Sequence, residues 1–444
     1  MPFRHYRPET RTLLGAQLVF NLGFYAVVPF LAGAMGTDYG MDAAAIGLVL
    51  GARTFSQQGM FLAGGLLADR WGSRRAILTG CLVRILGYAT LAAASDFTLF
   101  LLGAVLTGAG GALFSPALES QLSQADRPVD DGEPACGKKG KRSVFVWLAI
   151  TGEIGAVLGP VLGSALLGWG FDAALAAGIA VFTAVTILLW YRLPAAAARG
   201  KAPQAEAENP GRTGARPALA CLGDRRFVMF CVLAGVNMLA YNQLYFAVPV
   251  ELGRRGLDGA WLGALFLLAS ALTLLLQLPA AAVAQRLGPG RTLSAGFVLL
   301  AAAFAVAATT SVHAGSSGTS LVPLAVTVAV LILGRMLLTP TILSLIPAFV
   351  PTEGPAPGRG AYFGLAATCG GIAVLVGNAL LGWLLDLTDR HHWWPGTPWV
   401  PLVLLAVLAA AALPAVLRSH RTSRPTDTSA TPSLSGRTPG RANG

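Results

Sequence analysis

A charged side chain inside a long apolar run is costly, so each one is a functional candidate. Glu153, Arg53, Arg335 and Arg84 are the four that stand out. Glu153 lies about 15 Å from the start of its run at the helical rise, near mid-membrane. It is the one acid read as deep in a span, and so the candidate proton carrier. Burial favours its neutral form and a neighbouring arginine its charged form, and a substrate can tip that balance. The alternative is a fixed Glu–Arg pair that only holds helices together. Two polar stripes accompany these charges. Gln17, Asn21 and Tyr25 recur at every fourth position, as do Asn237, Tyr241 and Tyr245. Such a stripe in an apolar helix should face protein or a watery cavity rather than lipid. Tyrosine offers an apolar face and a hydroxyl, which suits amphipathic, partly aromatic cargo. Hydrogen bonding between helices is the alternative use. Gln57 is a weaker candidate for the same surface. Two arginines against one acid point to neutral, zwitterionic or weakly anionic cargo.

The elements that position these groups are read from composition. The chain has 444 residues, of which 54% are hydrophobic and only 12% charged. Soluble domains carry about 25% charged residues. A spanning helix needs about 20 mostly apolar residues. Twelve such runs are found: 12–34, 43–68, 76–94, 97–118, 143–167, 173–191, 226–250, 259–284, 292–311, 321–346, 359–385 and 398–417. The expected fold is therefore an all-α integral membrane bundle of twelve transmembrane helices. No cleavable signal peptide is read at the start. With the first tail inside, the inner segments carry Arg4, Arg7 and Arg11, then Arg70, Arg74 and Arg75, then Lys138, Lys139, Lys141 and Arg142, then the basic residues of 192–226. The outer loops carry Arg254, Arg255 and Arg390. This asymmetry puts both the N- and C-termini in the cytoplasm. Basic loops against an anionic leaflet account for the net charge of +11 without nucleic acid.

Punctuation divides the chain into a cytoplasmic tail (1–11), a first six-helix half (12–193), a cytoplasmic linker (194–225), a second half (226–418) and a disordered tail (419–444). The halves repeat. "YAVVP" at 25–29 returns as "YFAVP" 220 positions later, and "ADRWGSRR" at 68–75 as "AQRLGPGR" 216 later. Pro116 matches Pro340, and "GSALLGW" at 163–169 returns as "GNALLGW" 214 later. Six spans per half make the repeats parallel, a layout that places a substrate site near the midplane between pseudo-symmetric halves.

The segment "GGLLADRWGSRR" at 64–75 resembles the loop 2–3 signature of the major facilitator superfamily, and "GAVLGPVLGS" at 155–164 resembles the signature of its drug antiporters, with Ser164 in place of the last glycine. The stretches "LGARTFSQQGMFLAGGLLADRWGSRR", "GGALFSPALES" and "DRRFVMFCVLAG" look more narrowly like the MdtH-type multidrug efflux branch. The resemblance implies spans 1, 4, 7 and 10 around a central cavity. It also implies a peripheral third span, which lowers the rank of Arg84. Many members carry an arginine in the fourth span that is linked to proton coupling; the matching position here is Ala104.

Within the first signature, Gly72 permits a tight turn and Gly65 a close helix approach. Asp69 can accept hydrogen bonds near helix ends, and Glu119 is a plausible partner for Arg70 or Arg74. Together with Arg75 these residues read as a gating latch; the plainer reading is that the basic residues only hold the loop inside. In the fifth span, Gly155, Gly159 and Gly163 form one small-residue stripe and Pro160 can bend the helix. Close packing is the plainer reading here, and a bend that guides closure or seals a proton leak is what the resemblance implies.

The five cysteines show no metal-like spacing and the histidines fall in tails or loops, the pair His391 and His392 among them. No metal site, cofactor or ATP-binding loop is read, and no cluster suits an enzyme. The expected partners are a small-molecule substrate, protons and the lipid bilayer, with the chain a monomer in the cell inner (cytoplasmic) membrane. The leading reading is proton-coupled export of a drug or antibiotic. A secondary transporter for metabolite uptake or lipid flipping is the alternative.

Overall fold

The computed structural model describes residues 8–125, 144–193, 220–313, 320–350 and 359–422. Most of the expected linker (194–225), the polar loop after the fourth span and most of the final tail lie outside them. The described residues form helices and connecting turns, with no strand among them. The first rod is α1 (Pro8–Val27) continued by a 3-10 turn and α2 (Leu31–Thr37). Then come α3 (Ala43–Gly59), α4 (Phe61–Trp71), α5 (Ser73–Ala92), α6 (Phe97–Ala125), α7 (Val144–Leu167) and α8 (Phe171–Arg192). The second group is α9 (Arg225–Asn242), α10 (Ala247–Arg254), α11 (Ala260–Leu287), α12 (Pro289–Thr310), α13 (Val322–Leu345), α14 (Arg359–His391) and α15 (Val400–Thr422).

Eleven helical rods among the described residues are long and apolar enough to cross a membrane. The region expected as the second span differs: it breaks at Met60 into α3 and α4, of 17 and 11 residues. Neither alone reaches the about 20 residues of a typical span. The break follows Gly59, and α4 leans onto α6, where Gly64 meets the backbone oxygen of Ala112 with no room for a Cβ. Gly72 then turns the chain with φ +85°, and Gly288 does the same between α11 and α12 with φ +74°. These two positions are repeat-equivalent, and a left-handed φ is open to glycine at little cost.

Helices α1–α8 pack mainly among themselves, as do α9–α15; the two groups meet chiefly along α3–α14 and α7–α11. Phe20, Phe114 and Phe182 stack at the centre of the first group, and Phe227, Phe230, Phe349 and Tyr362 in the second. We call the end where α1 begins and α15 stops the terminal end, and the opposite one the far end. The seams are tight toward the far end. Gly382 abuts the backbone of Ala43, Gly47 that of Asn378, and Gly263 the side chain of Ser164. Toward the terminal end α11 turns Leu274, Leu275 and Leu278 outward.

Two cations expected in an outer loop are instead buried. Arg254 and Arg255 end the α10 rod at 6% and 2% exposure. The reason is pairing: Arg254 contacts Asp389 at 2.6 Å and Arg255 contacts Glu251 at 3.2 Å. Glu251 lies one residue beyond the expected seventh span and is itself 2% exposed, so the fold holds a fully buried acid as well as the half-buried Glu153. A buried charge persists only when paired and hydrogen-bonded.

Candidate functional site

The glycine stripe of α7 is what lets α1 come close. A Cβ at Gly155 would strike Asn21, one at Gly159 would strike Tyr25, and one at Gly163 would strike Phe30. The small-residue stripe thus seats the polar stripe, and α7 delivers Glu153 beside it. Pro160 is buried within α7 and gives no N–H, so the carbonyl of Ala156 loses its helical donor. Ala156 lines a cavity at that level.

Two cavities adjoin. The larger, about 330 Å³, is lined by Gln17, Asn21, Tyr25, Glu119, Leu148, Gly152 and Glu153. The smaller, about 110 Å³, lies between the halves, where Tyr25, Glu153 and Ala156 face Tyr241, Phe266, Ser270 and Arg335 among others. Tyr25 and Glu153 line both, so they stand at the junction. Tyr25 and Tyr241 line the small cavity together, and the hydroxyl of Tyr241 lies 3.3 Å from that of Tyr245. The two stripes therefore meet at their tyrosines. The guanidinium of Arg335 sits 3.3 Å from the centroid of the Tyr241 ring, a cation–π contact. Glu153 and Arg335 share the small cavity without closing an ion pair. A carboxyl so placed can exchange a proton without first breaking a salt bridge.

Other expected residues are held elsewhere. Arg53 is buried on α3, donates to Gln57 at 3.2 Å and lies 5.1 Å from the Phe24 ring. Asn237 donates to Thr339 at 3.3 Å. Arg53, Gln57 and Asn237 line neither of the two cavities. Arg84 is not peripheral. It is 2% exposed, donates to the Thr107 carbonyl at 3.2 Å, and sits among the rings of Phe24, Phe114 and Phe182. Three aromatic faces stand where a carboxylate would be expected.

The gating residues divide as well. Glu119 lines the larger cavity instead of pairing with Arg70 or Arg74. Arg74 donates to the Trp190 carbonyl at 2.8 Å and lies over that ring, at the end of α8; Arg70 and Arg75 are exposed. Gly65 and Asp69 fall on α4, and their surroundings lie outside the described residues.

Asn242 and Gln243, weaker candidates for the cargo surface alongside Gln57, belong instead to a buried polar chain across the halves. Asn242 donates to Thr54 at 3.0 Å, Asn378 to Asn242 at 2.7 Å, and Gln243 to Asn378 at 3.0 Å. One signal was available: in the "GSALLGW"/"GNALLGW" repeat, Asn378 stands where the first half has Ser164.

Comparisons with known proteins agree with this geometry. The family model described as Major Facilitator Superfamily matches residues 13–356 and 256–439. An uncharacterized MFS-type transporter of Mycobacterium tuberculosis is 31% identical over 93% of this chain and 94% of its own. Multidrug resistance protein MdtH of Salmonella arizonae is 28% identical over 93% and 94%. Among solved structures, an auto-inhibited POT family peptide transporter superposes with TM-score 0.72 at 18% identity over 93% of this chain and 97% of its own. The nucleoside transporter NupG gives 0.72 at 15% over 93% and 100%. These two share the fold. With the apolar rods, the two packed groups and the family match in hand, the chain belongs to the Major Facilitator Superfamily of multi-pass membrane transporters.

Proposed function

We propose that this transporter exports amphipathic small molecules in exchange for protons, by alternating access about the tyrosine-lined centre. The carrying observation is the place of Glu153. It borders both cavities and faces Arg335 of the other half with no ion pair between them. Protonation there changes the charge of the cavity that cargo enters, which is the requirement for coupling two solutes at one site. Likeness to the MdtH multidrug resistance proteins supports drug-like cargo. On this reading α3 and α4 together make a twelfth crossing. The basic residues at the terminal end then face the cytoplasm, across the cell inner membrane, with the chain acting as a monomer. Among the described residues, the larger cavity is lined by two acids and no basic residue. We therefore move the cargo class from the weakly anionic toward amphiphiles that carry a basic nitrogen.

A drug-susceptibility panel with and without expression, repeated with an uncoupler, tests the proposal. Resistance to at least one amphiphile should appear on expression and vanish with the uncoupler. Resistance that survives the uncoupler would contradict proton coupling, and sensitisation by expression would contradict export.

A further inference from the structure

A helix N-terminus leaves four backbone N–H groups without intrahelical partners. In α3, which Asp42 caps, those of Ala43, Ala44 and Ala45 are all taken up by carboxylates. Ala43 and Ala44 donate to the two carboxylate oxygens of Asp386, at 2.9 and 2.8 Å. Ala45 donates to the Asp42 side chain at 2.9 Å, and Ile46 makes the first intrahelical bond, to the Asp42 carbonyl at 3.1 Å. Two of these three cap bonds therefore come from α14, more than 340 residues away and on the other side of the boundary between the halves. A carboxylate at this position gains both charge-assisted hydrogen bonds and the favourable end of the helix dipole.

Asp386 is held in place for this contact. One turn on, Asp389 pairs with the buried Arg254, which also donates to the Leu385 carbonyl at 3.2 Å. The end of α14 is thereby pinned to α10. Moving from Asp386 toward the terminal end, the same seam continues through Gly382 against Ala43, Gly47 against Asn378, and the Thr54–Asn242–Asn378 chain.

We propose that Asp386 is the far-end gate. Its carboxylate completes the α3 cap only while the halves are closed there, and losing that cap lets the centre open toward the far side. The proposal rests on the alternating-access reading above. The contact suits a gate because it can be unmade reversibly. When the halves part, water can reach Ala43, Ala44 and Asp386, while Asp42 still caps Ala45. The helix end keeps its start signal and does not fray.

Hydrogen–deuterium exchange on the full chain in lipid nanodiscs tests this without any cargo. Asp386→Ala should speed exchange at 43–46 at least tenfold. It should also speed exchange severalfold along the seam, in peptides covering 242–243 and 375–378, because the seam spends more time open. Asp386→Asn, which keeps the size and one acceptor oxygen, should fall between and stands in if the alanine variant fails to fold. Unchanged exchange in both regions overturns the proposal. So does acceleration confined to 43–46, which would make Asp386 a local cap and nothing more. Acceleration of the seam in a protein that shows no proton-driven export would uphold the gate while removing the export reading.

Discussion

Gly47 on α3 and Gly263 on α11 stand 216 positions apart and occupy equivalent crossings between the halves. Gly47 meets Asn378 on α14, and Gly263 meets Ser164 on α7, the partner positions being repeat-equivalent too. The two seams share one plan of small residues at a close crossing, yet they carry different loads. At α3–α14 the glycine meets backbone, and around it lie the Thr54–Asn242–Asn378–Gln243 chain and the Asp386 cap. At α7–α11 the glycine meets a side chain, the Ser164 hydroxyl bonds only within its own helix, and the cavity with Glu153 lies alongside. Duplication supplied the geometry twice. Divergence then put closure on one seam and the ionisable chemistry beside the other.

The largest effect is expected beside the second seam. Glu153→Gln keeps the shape and removes the exchangeable proton. Proton-driven cargo movement in inverted vesicles should fall by at least about a hundredfold, in line with the loss of a positioned proton carrier. Cargo binding should stay within severalfold. Next comes a paired test of the glycines. Gly47→Ala must displace backbone on α14, and overpacking costs about 1–3 kcal/mol, so transport should fall roughly five- to a hundredfold. Gly263→Ala meets first the Ser164 hydroxyl, which can rotate, and less closely the Ser164 Cβ and the Pro160 carbonyl, so it should lose less than Gly47→Ala, about threefold. Equal losses would erase the asymmetry between the seams. Third, Asn378→Ala leaves Asn242 and Gln243 short of partners and should destabilise by about 1–3 kcal/mol, read as a fall in thermal unfolding midpoint. Ser164→Ala should stay within about 0.5 kcal/mol. The smallest effect belongs to Glu119→Gln, at the edge of the larger cavity. It should raise KM for an amphiphilic amine by about two- to fivefold with kcat unchanged.

Much of this was open to a reading of the chain alone, and the parts that were not share a cause. Apolar length located the rods, and the repeat paired Gly72 with Gly288 and Tyr25 with Tyr245. Four-residue spacing found the polar stripes whose tyrosines meet. Local pattern failed wherever the partner is remote in sequence. Arg254 and Arg255 were read as loop cations: nothing near Arg254 announces Asp389, and Arg255, though four residues from Glu251, is buried against the remote Ser320 and Thr310 carbonyls. Arg84 was ranked low because the resemblance implied a peripheral third span, and the three phenylalanines that enclose it come from three different helices. Glu119 was matched to the arginines nearest its expected level, and the structure turns it to the cavity. The Asp386 cap spans more than 340 residues, beyond the reach of any periodicity.

The central claim is that one tyrosine-lined centre is opened to the two sides of the membrane in turn. Accessibility of a cysteine at position 25, in a background with the native cysteines replaced by serine, tests it most directly. A membrane-impermeant thiol reagent should label Tyr25→Cys from the cytoplasmic face in the resting protein. From the outer face it should label only once a proton gradient drives the cycle. A cysteine reachable from neither side under any gradient, or from both at once, would contradict the account.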